Sequence, residues 1–112
     1  MRIILVCLLL VLTSAVGLAE SGLTGTDRTQ FLENAFKVCF QKQTNDPKNK
    51  AIKVAKLAQY CVCYSDHLAD RISPEENKTF DQLFANDRAE LAVRLQPILD
   101  SVTSACAPTL NP

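Results

Sequence analysis

Five cysteines and one histidine are the residues of this 112-residue chain best equipped for chemistry. Cys61 and Cys63 stand two apart, His67 follows Cys63 by four, and Cys39 and Cys106 lie well to either side. Paired thiols can make a redox centre when the attacking cysteine is exposed at a helix N-terminus, where its pKa falls. Cys39, Cys61 or Cys63 could share a metal with His67, because cysteine and histidine four apart on a helix point the same way. Covalent haem would want Cys-x-x-Cys-His, and that spacing is missing. The remaining use is structural, as disulfides, and it is the one this sequence favours: no catalytic residue, metal or cofactor is expected.

The elements around the cysteines explain that choice. Residues 1–19 have the three parts of a secretory signal peptide: Arg2 as the charged start, an apolar run over 3–12, and small residues ending in Gly17-Leu18-Ala19 before Glu20. The apolar run is about half of the ~20 residues a spanning helix needs, so no stable membrane anchor is expected after cleavage. Cys7 leaves with the signal. Four cysteines remain, Cys39, Cys61, Cys63 and Cys106, and an even number in an oxidising compartment reads as two bridges. The mature chain of roughly ninety residues is one small domain with a thin core, the size class that disulfides often support. Lys and Arg equal Asp and Glu at 12 each, so no net field draws the protein to nucleic acid.

After a flexible lead-in over 20–26, the domain proper is expected over 27–107, with 108–112 as a tail. Glycine disappears after Gly25 and no strand-like alternation is present, which favours helices. The first helix, capped at Thr26 or Asp27, carries Phe31, Leu32, Ala35, Phe36, Val38, Cys39 and Phe40 at helical spacing. Asn45-Asp46-Pro47 then turns the chain. A second helix is expected from about Pro47 or Lys48 to Ile72, apolar over so wide an arc that it should be central. Ser73-Pro74-Glu75-Glu76 is a capping box with proline at the first helical position. Asn86 or Asp87 can cap a last helix with the stripe Leu91, Leu95, Leu99, Val102 and Cys106, bent or broken at Pro97. The fold class is all-α, a single domain of about four helices stapled by two disulfides.

Cys61 and Cys63 project to nearly opposite sides of one helix, so they cannot bridge each other. Two pairings remain, 39–61 with 63–106 or 39–63 with 61–106, and the spine position of Cys61 slightly favours the first. Elsewhere, Tyr60, Tyr64 and His67 make an aromatic edge that could meet a partner or respond to pH. Lys50, Lys53 and Lys56 crowd the start of the second helix, against its dipole, which hints at an acidic partner. Asn77-Lys78-Thr79 fits the N-glycosylation sequon of a eukaryotic host.

The motif Tyr60-Cys61-Val62-Cys63-Tyr64, with Val38-Cys39 before it and Leu68-Ala69-Asp70 and Ser73-Pro74-Glu75-Glu76 after it, resembles small exported proteins of Gram-negative bacteria. In size, helical content and paired cysteines the chain is also similar to periplasmic immunity proteins of type VI secretion, the Tai4 kind. That resemblance implies a partner protein, a toxic effector blocked through helix and loop surfaces, and it carries over no binding residue. The leading expectation is therefore a non-enzymatic periplasmic or secreted protein that binds another protein through Lys50, Lys53, Lys56, Tyr60, Tyr64 and His67. The rival is a carrier, a disulfide-stapled helical shell around a lipid or other apolar ligand, with Phe31, Phe36, Phe40, Phe80 and Phe84 lining it. An apolar pocket of a few hundred Å³ would favour the carrier, and a solid core the binder.

Overall fold

A computed structural model describes residues 22–111; the signal peptide expected over 1–19 lies outside the described residues. Four α-helices follow one another: α1 (Gly25–Asn45), α2 (Val54–Arg71), α3 (Pro74–Asn86) and α4 (Arg88–Cys106). Short 3₁₀ turns lie at Pro47–Asn49 and Ala107–Leu110, and no strand occurs among the described residues.

Helix α2 is central because its apolar residues cover a wide arc: Leu57, Tyr60, Cys61, Leu68 and Ala69 are all buried. Its buried Ser65 hydroxyl donates to the Cys61 carbonyl at 2.7 Å, so its burial leaves no unmet hydrogen bond. Helix α1 packs along α2, with Cys39 as its buried contact and the Phe36 and Phe40 rings stacked 5.6 Å apart. The C-terminal half of α4 supplies the fully buried Val102 and Cys106. Cys39 bonds to Cys61 and Cys63 to Cys106, with Cα–Cα separations of 5.6 and 5.8 Å. The pairing favoured by the spine position of Cys61 is the one formed, and it ties α2 to α1 on one side and to α4 on the other. Two disulfides place the folded chain in an oxidising compartment.

The Ser73 capping box forms as its sequence requires. The Glu76 N–H donates to the Ser73 hydroxyl at 3.1 Å, and the Ser73 N–H donates to the Glu76 carboxylate at 3.1 Å. The Asp87 carboxylate accepts from the Glu90 N–H at 3.1 Å, starting α4 with a single linking residue after α3. Helix α3 has no buried residue, so it hangs on its caps and on α4.

Three expectations need correction. The second helix begins at Val54, not near Pro47: the Asp46 carboxylate caps a 3₁₀ turn by accepting from the Lys48 N–H at 2.9 Å, and extended Lys53 opens α2. The lead-in 20–26 is not loose over its described part. Leu23 is 1% exposed, its N–H donates to the Ala69 carbonyl at 2.9 Å, and α1 starts two residues early at Gly25. Gly22 makes this docking possible, for its φ of 93° suits glycine, and a Cβ there would sit 3.1 Å from the Ala69 carbonyl oxygen. The segment 108–112 is not merely a tail, because the turn Ala107–Leu110 packs on α2 with Leu110 against the core. Helix α4 is continuous through the exposed Pro97, so the chain is not broken there.

Candidate functional site

The main concavity is a cleft of about 920 Å³, walled by all four helices. Each helix contributes a ladder of residues three or four apart, the spacing that keeps side chains on one helical face. Phe31, Ala35 and Val38 come from α1, and Tyr60, Tyr64 and Leu68 from α2. Phe80 and Phe84 come from α3, and Leu91, Leu95 and Leu99 from α4. The cleft stays open because its outer wall, an arm made of α3 and the first half of α4, buries no residue. Val38 and Phe84 are consequently 64% and 57% exposed, large apolar surfaces facing a common space.

Polar groups line both ends of the cleft. At the disulfide end, within one turn of Cys39, Cys61 or Cys106, stand Lys42, Gln43, Tyr60 and Thr103. Lys42 is the only charged lining residue at that end; Asp27, Lys78 and Asp81 belong to the opposite end. The Tyr60 and Tyr64 rings lie 5.9 Å apart, and neither hydroxyl has a hydrogen-bond partner among the described residues. Burial pushes the Tyr64 phenol above its usual value, with Tyr60 adding to the effect, so Tyr64 stays a neutral donor.

The residues singled out from the sequence are thus redistributed. Tyr60 is 5% exposed and is part of the core and the cleft wall, not an outward edge. Tyr64 lines the same wall, and His67 does not. Lys50 and Lys53 precede α2 while Lys56 lies in its first turn, so the three do not share one helical face. Lys56 donates through Nζ to the Asn111 carbonyl and holds the C-terminal turn. Of the five phenylalanines, Phe31, Phe80 and Phe84 line the cleft, whereas Phe36 and Phe40 stack on each other outside it. Lys42 and Thr103 carry no motif; only their phase with Val38 and with Leu99 could have flagged them.

The cysteine–histidine group is a separate feature. The Cys63 and Cys106 sulfurs and a His67 ring nitrogen all lie within 4.8 Å of one another. Cys39 and Cys61 do not belong to this group. With the sulfurs bonded to each other, the oxidised protein offers no thiolate for a metal. Among the described residues no helix is long and apolar enough to cross a membrane. No protein family, characterised protein or solved structure gives a match to this chain.

Proposed function

We propose that this is a non-enzymatic exported protein, periplasmic or secreted, that carries an anionic amphiphile: a long acyl chain ending in a carboxylate. The observation that supports it is the cleft. Its volume of about 920 Å³ falls within the ~300–1,000 Å³ of small-molecule sites, and its walls combine apolar ladders from all four helices with polar groups at both ends, of which Lys42 is the charged one at the disulfide end. In this reading the acyl chain lies along Phe31, Val38, Leu68, Phe84 and Leu95. The carboxylate meets Lys42 and the Tyr60 and Tyr64 hydroxyls at the disulfide end. Such an end attracts an anion by charge and by unengaged donors. The protein-binding alternative, with immunity to a toxic enzyme as its concrete form, has less behind it, because Lys50 and Lys53 lie outside α2, Lys56 is engaged by the Asn111 carbonyl and Tyr60 is buried.

The test is a titration of the oxidised mature protein with a fluorescent polyunsaturated fatty acid. Saturable uptake displaced by oleate is expected. Val38→Asp should weaken it about tenfold, by removing apolar surface that the acyl chain would cover and placing a carboxylate there. Lys42→Ala should weaken binding of the acid but not of the matching fatty alcohol. No saturable uptake by the wild-type protein would end the carrier reading, and equal weakening of acid and alcohol by Lys42→Ala would end the headgroup assignment.

A further inference from the structure

The two disulfides differ in their surroundings. Cys39 and Cys61 are both buried, at 7% and 0% exposure. Cys106 is also fully buried, but its partner Cys63 is only half-buried, and His67 follows it by one helical turn. None of Cys63, His67 and Cys106 lines the cleft. We propose that the Cys63–Cys106 bridge and His67 form a reduction-gated site for a soft divalent cation of the zinc class.

The geometry is close to what the ion needs. Donor atoms around tetrahedral zinc, with Zn–S of about 2.3 Å and Zn–N of about 2.0 Å, stand roughly 3.5–3.8 Å apart. Here the three donors lie within 4.8 Å, on two helices already held together. Opening the bridge requires a dithiol reductant. Its thiolate attacks the accessible Cys63 sulfur, forming a mixed disulfide and releasing the Cys106 thiolate. Its second thiol then resolves the mixed disulfide and frees Cys63, so the dithiol becomes a cyclic disulfide and two electrons pass to the protein. The metal binds both thiolates and the His67 nitrogen, displacing two protons from the thiols, and water takes the fourth position. The cation thereby re-forms the α2–α4 tether that reduction removed. The deeper Cys39–Cys61 bridge keeps α1 on α2 throughout.

Limiting dithiothreitol, alkylation and peptide sequencing by mass spectrometry should show Cys63 and Cys106 labelled before Cys39 and Cys61. After anaerobic removal of the reductant, cobalt(II) should give thiolate charge-transfer and tetrahedral visible bands at one equivalent, and zinc should bleach them. His67→Ala should weaken cobalt binding at least tenfold, since even indirect support of a ligand is worth about 10- to 100-fold. The Cys63→Ser/Cys106→Ser double variant, which keeps the other bridge, should show no bands. If reduction loosens α4, cobalt should restore the lost helical circular dichroism in the wild-type chain and not in the double variant. Simultaneous opening of both bridges, absence of the bands, or His67→Ala binding cobalt as tightly as wild type would each overturn the proposal.

Discussion

The α1–α2 layer and the α3–α4 arm are built from the same kind of amphipathic helix and end up in different states. In the layer, both helices are bound by the Cys39–Cys61 bridge, and α2 alone buries six residues. In the arm, α3 buries none, and α4 buries only Val102 and Cys106, both in its C-terminal half. The apolar ladder of the arm, Phe80, Leu91, Leu95 and Leu99, is half-buried against a cleft in place of a second layer. Buried residues are concentrated where the disulfides are, while α3 and the first half of α4 bury none. This division is what a binding cleft requires, because a wall that must admit a ligand cannot also be close-packed.

The sharpest way to break that comparison is to remove a staple from the layer and a large side chain from the arm. The Cys39→Ser/Cys61→Ser double variant should lose about 2–5 kcal/mol, the usual cost of deleting a native disulfide from a small exported domain. Phe84→Ala should cost under about 1 kcal/mol, since Phe84 is 57% exposed and its main partner is Arg88, whose guanidinium lies 4.3 Å from the ring centroid. Urea unfolding followed by circular dichroism measures both. Equal losses would mean that the arm shares the core of the layer and that the cleft is closed in solution.

A smaller change sharpens the contrast inside the arm. Ser73→Ala removes the N-cap hydroxyl and should cost about 1 kcal/mol. Because α3 buries nothing, the effect should be local. Hydrogen exchange should speed up over the first turns of α3 and stay unchanged around Cys61 in α2. Exchange that rises equally in both helices would show the arm and layer unfolding as one unit.

The capping box was legible because it is self-contained: Ser73, Pro74 and Glu76 satisfy one another within four residues. The cysteine pairing was nearly so, since a helix allows Cys61 and Cys63 only opposite directions. Helix phase was also readable, yet phase identifies a face and not what covers it. Thus Leu91, Leu95 and Leu99 read as core and line a cleft. Tyr60 reads as a polar edge and is buried. The start of α2 was missed because Asp46 spends its cap on a 3₁₀ turn, a choice between two local hydrogen-bond patterns that composition does not decide. Leu23 was missed because its burial depends on the distant C-terminal turn of α2, with which it shares no sequence pattern.

The faintest expected effect lies at the seam between layer and arm, at Tyr64. Burial, with Tyr60 adjacent, raises its phenol above the ordinary 10.0 in the folded state. The unfolded chain therefore loses this proton first as pH rises, and above pH 10 it binds fewer protons than the native protein. Stability must then fall with rising pH in that range, while below it the group contributes no slope. Tyr64→Phe should flatten the alkaline limb of a stability–pH profile and leave the profile below pH 9 parallel to wild type. Bound fatty acid, by covering Tyr64 further, should steepen the limb in the wild-type protein and not in Tyr64→Phe. An alkaline limb unchanged by the substitution would place Tyr64 in water and move the ligand's polar end away from the tyrosine pair.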